Sequence, residues 1–196
     1  MAVSLEKIQK LREETMASMA DVKKALDEAQ GDEEKALFIL KKQGKIIAEK
    51  KSSRETNAGI VASYVHQNGR IGVLIEVRCE TDFVAKNTEF QALVHDLTLH
   101  IAAMKPEYVR QEDVPQAAID AEKKVFEAQT DEMKGKPADV IEKIIEGKLK
   151  KYFDDVCLLN QPFVKDDSKT VRDRITECVA KVGENIDVSR FVRFEV

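Results

Sequence analysis

Cys79-Glu80-Thr81-Asp82-Phe83-Val84-Ala85-Lys86-Asn87 lies where a β-hairpin pattern stops and a long helical pattern starts. Thr81 or Asp82 is placed to be the N-cap of that helix, because a short oxygen-bearing side chain accepts a bond from the free amides of the first turn. Two readings of the stretch stand. In one, Thr81-Asp82 only starts a helix and Phe83 with Val84 enters the core. In the other, the helix start is held out on a rigid strand–helix corner, where a carboxylate and a phenyl ring side by side probe another protein. On the N-terminal side, Gly59–Val65 and Ile71–Val77 are β-rich runs separated by Asn68-Gly69, a turn signal because both residues tolerate positive φ. On the C-terminal side the spacing predicts a helix from about Asp82 to Met104, with Phe83, Phe90, Leu93, Val94, Leu97, Ile101 and Met104 as its apolar stripe.

Further along, Lys105-Pro106 ends this helix and Val114-Pro115 opens another, carrying Ile119, Val125 and Phe126. Gly135-Lys136-Pro137 breaks it, and a helix with Val140, Ile141, Ile144, Ile145 and Leu149 follows. Val156–Leu159 reads as a short buried segment and Gln161-Pro162-Phe163 as a turn. Thr170–Val182 is predicted helical with Val171, Ile175, Cys178 and Val179 inward. The ending, Phe191–Val196, is predicted to join the hairpin as a third, antiparallel strand.

Towards the N-terminus, residues 4–44 read as three short helices. Ser4 caps the first, which carries Leu5, Ile8 and Leu11. Ser18-Met19-Ala20-Asp21 starts the second, which buries Val22, Ala25, Leu26 and Ala29. Gly31 stops it, Asp32 caps the third helix, and Gly44 is expected to stop that one. Such a bundle resembles the ubiquitin-associated fold. Met16 and Met19, which precede the second helix, are either gap-filling core or an adaptable contact surface. The polar run 45–57 is the expected boundary. The predicted class is α+β: a three-helix bundle over 1–52, then a core over 53–196 in which helices cover one face of a small three-stranded antiparallel sheet.

Composition narrows the function classes. The chain has 196 residues, 43% hydrophobic and 35% charged, with net charge −4 and pI about 5.6. That suits a folded, mostly helical protein and argues against binding nucleic acid through its phosphates. Glu6, Lys7 and Lys10 interrupt any apolar leader, and no stretch reaches the length of a membrane span, so a cytoplasmic protein is expected. Cys79, Cys157 and Cys178 are far apart in apolar contexts and read as reduced core residues. His95 and His100 are five apart, not the three or four that would aim both rings at one metal; His66 sits in the hairpin turn. Phosphate-binding and nucleophile motifs are absent from the sequence. Neither a metal, a cofactor nor an enzymatic activity is expected.

Several spaced motifs carry a resemblance. Thr81-Asp82-Phe83-Val84-Ala85-Lys86-Asn87 after the strand Gly72–Val77 is the most specific. Asp21-Val22-Lys23-Lys24-Ala25-Leu26, Gly31–Ala36, Gly135-Lys136-Pro137, Gln161-Pro162-Phe163-Val164 and Arg193-Phe194-Glu195-Val196 follow the same order. Together they resemble the translation elongation factor Ts family, in its short form with a single core unit. The resemblance implies a guanine-nucleotide exchange factor for elongation factor Tu in the bacterial cytoplasm. Thr81, Asp82, Phe83 and Val84 would be the contacts that dislodge Mg2+ and promote GDP release, with Met16 and Met19 a secondary contact. It also implies a homodimer that pairs through its sheets and binds two partner molecules. One departure concerns Met16-Ala17-Ser18-Met19-Ala20, where the family often has Gly-Ala-Gly-Met-Met. The competing reading is a non-catalytic helical adaptor that binds peptides or ubiquitin-like partners.

Overall fold

The hairpin is where the chain places it. The computed structural model describes residues 4–15, 17–128 and 138–196. In it, β1 (Ala58–Val65) and β2 (Ile71–Cys79) pair antiparallel from Ala58↔Cys79 to Val65↔Gly72. The connection is five residues, His66–Arg70, closed by the His66 amide on the Ile71 carbonyl at 2.9 Å. Gly69 takes the left-handed conformation at φ 68°, which a residue without Cβ adopts at little cost. A third strand at the C-terminus, Ile186–Glu195, pairs antiparallel with β2, giving the order β1-β2-third strand.

Alternation along β2 sets the two faces. Val73, Ile75, Val77 and Cys79 point into the core, while Leu74, Glu76 and Arg78 point out. The core side is covered by α4 (Asp82–Ala85) and α5 (Thr88–Met104), and by a later helix over Val171–Val182. The outer side carries Val61, Val65, Leu74, Val192 and Phe194 in register, all exposed.

The helix predicted over 82–104 is two helices. Asn87 is extended (φ −70°, ψ 137°) and its side chain accepts the Glu89 amide at 2.8 Å, so it caps α5 anew. Asn competes with the helix ladder in this way, and Asn87 followed by Glu89 is an N-terminal signature. The break resets the helical phase. Phe90 is fully buried, whereas Phe83, seven residues earlier, leaves the apolar stripe and stands in solvent.

The N-terminal bundle consists of α1 (Leu5–Thr15), α2 (Met19–Glu28) and α3 (Glu33–Lys51). Ser18 accepts the Asp21 amide and Asp32 the Lys35 amide, both at 3.1 Å. Ile8, Leu11, Val22, Ala25, Leu26, Ala29, Ala36 and Leu40 form its own core. The expectation that Gly44 stops α3 is wrong. A Cβ on Gly44 would lie 3.3 Å from the Ala180 Cβ, so the glycine lets α3 cross close over the helix beneath it. That packing outweighs the roughly 1 kcal/mol that glycine costs inside a helix. The helix therefore runs on into the expected linker as far as Lys51, and Ala48 packs on the main core.

The remaining elements complete the cover. α6 (Gln116–Ala128) and α7 (Ala138–Val156) pack together near Val114, Phe153 and Cys157; the Gly135-Lys136-Pro137 break lies outside the described residues. The segment expected as a turn at Gln161–Phe163 forms a second small sheet, β3 (Pro162–Phe163) with β4 (Asp166–Thr170). Then α8 (Val171–Val182) starts from a capping box between Thr170 and Asp173 and leads into β5 (Ile186–Glu195). Within the described residues no helix is long and apolar enough to cross a membrane.

Candidate functional site

The strand–helix corner after β2 is built from both ends of the core. The Thr81 hydroxyl caps α4, accepting the Val84 amide at a long 3.5 Å. Val84 and Ala85 turn inward, at 8% and 5% exposure, and tie the corner to the main core. Asp82 and Phe83 are on the other side. Phe83 is 88% exposed, and the Asp82 carboxylate makes no hydrogen bond or ion pair with another described residue. Of the four residues in the sequence-based assignment, the structure thus presents Asp82 and Phe83 outward, uses Thr81 as the cap, and seats Val84 in the core.

Behind the corner is a set of contacts that no local motif announces. The Thr81 amide donates to Glu184 Oε2 at 3.0 Å and its hydroxyl donates to Glu184 Oε1 at 2.7 Å. In return the Asn185 amide donates to Glu80 Oε1 at 2.7 Å. That backbone donor, with Arg54 beside it, holds the Glu80 carboxyl below the usual carboxylate range. The Asn185 side chain donates to the carbonyls of Ser52 (3.3 Å) and Arg54 (2.9 Å), and the Lys51 ammonium donates to the Gly183 carbonyl. The end of α3, the turn between α8 and β5, and the corner are therefore one connected block. Cys79 lies under it, its thiol donating to the Thr81 carbonyl at 3.2 Å. Burial, followed by the Glu184 charge, pushes that thiol up.

His100 is fully buried. Its Nδ1 accepts the Val164 amide at 3.2 Å, so the proton sits on Nε2, which meets Gln161 Oε1 at 2.9 Å. Burial lowers its pKa. His66 meets the Tyr64 hydroxyl at 2.9 Å, and His95 is exposed. All three cysteines are buried and free, and burial pushes Cys157 and Cys178 up to about 11. Among the described residues no group of three or more His, Cys, Asp and Glu is arranged to hold a metal. Met19 is 41% exposed at the first position of α2 and is not part of the bundle core; Met16 lies outside the described residues.

The arrangement has an outward carboxylate and an outward ring on a fixed support, and among the described residues no nucleophile–base pair stands beside them. The chain matches the family model described as Elongation factor TS over residues 3–196. It is similar to the Elongation factor Ts of Thermotoga neapolitana, 56% identical over 196 residues that cover 100% of this chain and 98% of that relative. It is also similar to those of Rubrobacter xylanophilus (53% identical, 100% of both chains) and Carboxydothermus hydrogenoformans (52% identical, 99% of this chain and 89% of the relative).

Proposed function

The chain belongs to the elongation factor Ts family, and from that premise we propose that it is a guanine-nucleotide exchange factor for elongation factor Tu. Asp82 and Phe83 enter the nucleotide domain of the GTPase near its Mg2+ and phosphate contacts. The ring wedges between apolar side chains, the carboxylate competes for polar ones, and GDP leaves. Thr81 and Val84 serve the same event from behind, one as cap and the other as core anchor. The observation that carries this reading is Phe83, 88% exposed beside the outward Asp82 on a corner that Val84 and Ala85 anchor in the core and Thr81 hydrogen bonds tie to Glu184.

The energetics fit an exchange factor. Mg2+ demands near-ideal octahedral geometry, so small displacements of its ligands forfeit much of its affinity. Accelerating release by four decades takes about 5.5 kcal/mol of differential binding. Burying one phenyl ring supplies about 2–3 kcal/mol of that, and disturbed metal and polar contacts supply the rest. Coupling between two ligands is reciprocal, so a factor that loosens nucleotide is itself released by nucleotide. No covalent step is involved, and the protein is an exchange factor rather than an enzyme.

Three further assignments belong to the same proposal. Met19 is the secondary contact from the bundle, and 1–52 and 53–196 are the working units. The protein acts in the bacterial cytoplasm. It is also a homodimer, two chains meeting through the exposed Val61, Val65, Leu74, Val192 and Phe194 on the outer sheet face and carrying two partner molecules. The match over residues 3–196 favours the exchange factor over an isolated helical adaptor, which needs only the bundle. The test is stopped-flow release of a fluorescent GDP from elongation factor Tu. The wild-type chain accelerates it and a folded Asp82→Ala, Phe83→Ala variant loses most of the acceleration; equal rates from the two would refute the reading.

A further inference from the structure

Resting on the exchange reading above, we propose that Glu184 is a positioning residue that fixes the direction in which Asp82 and Phe83 leave the sheet. The strand ladder does not do this by itself. Pairing between β2 and β5 ends at Cys79↔Ile186, so the path of residues 80–83 is set by what lies beyond the last rung. Gly183, at φ 78°, ends α8 and turns the chain so that Glu184 comes opposite Thr81, 103 residues earlier in sequence.

The carboxylate then holds both polar groups of Thr81. Taking the backbone amide at 3.0 Å fixes where the main chain is, and taking the hydroxyl at 2.7 Å fixes where the hydroxyl proton points. With that proton directed at Glu184, an oxygen lone pair is left for the Val84 amide, the cap of α4. One side chain thus sets both the exit of the corner and the start of its helix. The return bond from the Asn185 amide to Glu80 at 2.7 Å makes the grip reciprocal. Such bonds are charge-assisted and directional. They lie close to solvent. Their effect is on orientation.

A positioning role predicts a specific kinetic split. Without the clamp the corner samples several directions, and only a fraction of molecules is competent to engage the GTPase. The apparent dissociation constant rises by the reciprocal of that fraction. Once engaged, the corner is held by the partner. Full-length Glu184→Ala should therefore raise the half-saturating concentration for release of fluorescent GDP about tenfold, with the saturated rate within about twofold of wild type. Its Thr81 amide should exchange with solvent faster in the free protein. Glu184→Gln keeps one acceptor for that amide and should fall between the two; it also carries the test if the alanine variant does not fold. An unchanged half-saturating concentration in a folded Glu184→Ala protein overturns the proposal. So does a loss confined to the saturated rate. A wild-type chain that fails to accelerate release overturns the exchange reading itself, and with it the role of Glu184, while amide exchange at Thr81 separately reports whether the clamp exists.

Discussion

Replacing Phe83 by alanine separates a ring that serves the fold from one that serves a partner, and Phe90→Ala provides the control on the next helix. Fully burying a phenylalanine side chain stabilises a protein by up to about 3 kcal/mol. Phe83 is 88% exposed, so roughly a tenth of that, about 0.3 kcal/mol, is at stake in the free protein. For a chain of 196 residues that is a melting shift of about 1 °C. Phe90 is 0% exposed, and its truncation leaves a cavity as well as losing transfer energy, costing about 3–5 kcal/mol and about 10 °C or more. Release of GDP from elongation factor Tu should show the opposite order. Losing about 2–3 kcal/mol of ring burial in the complex slows exchange about 30- to 150-fold. Phe90→Ala, assayed well below its melting point, keeps most of the activity. Differential scanning calorimetry and stopped-flow fluorescence on the same preparations measure both. A Phe83→Ala protein that melts many degrees lower, or that exchanges as fast as wild type, would refute the reasoning.

Gly59, at φ 148°, would bring a Cβ to 2.3 Å from the Val77 carbonyl oxygen; Gly59→Ala should cost about 2–3 kcal/mol in urea unfolding, and a loss under about 0.5 kcal/mol would show that β1 shifts freely. His100 has a folded pKa below its unfolded value of about 6.5. The unfolded chain therefore takes the proton first, so this contribution to stability is complete above about pH 6.5 and is lost as pH falls below it. His100→Gln should flatten the difference in urea stability between about pH 5.5 and 7.5, and an unchanged difference would place the titrating group elsewhere. On the outer sheet face, Leu74→Glu puts a charge among Val61, Val192 and Phe194 and should give a folded monomer by sedimentation velocity; a dimer of unchanged affinity would exclude that face as the interface. With Cys157 and Cys178 buried and pushed up to about 11, a thiol-specific disulfide reagent at pH 8 should react slowly with the native protein and fully in denaturant, whereas a prompt reaction would contradict the burial.

The sequence alone carried the kinds of element and much of their order. Alternating β-branched residues with Asn68-Gly69 between them specify a hairpin, because the side-chain period and the turn chemistry are both local. Ser18, Asp32 and Thr170 announce helix starts for the same reason: a cap needs only its own three following residues. Thr81-Asp82-Phe83-Val84 marked the corner, and the spaced motifs around it identified the family. What the sequence left open was which way Phe83 faces, since a helix start and an exposed probe have the same residues. Asn87 settled it by restarting the helix and shifting its phase. The passage of α3 through Gly44 depends on Ala180, and the grip on Thr81 depends on Glu184, each more than a hundred residues away. Contacts across such distances in the chain leave no periodic or compositional trace. They form only when the sheet brings the end of β2 beside the start of β5, and that juxtaposition fixes Asp82 and Phe83 in a single outward direction.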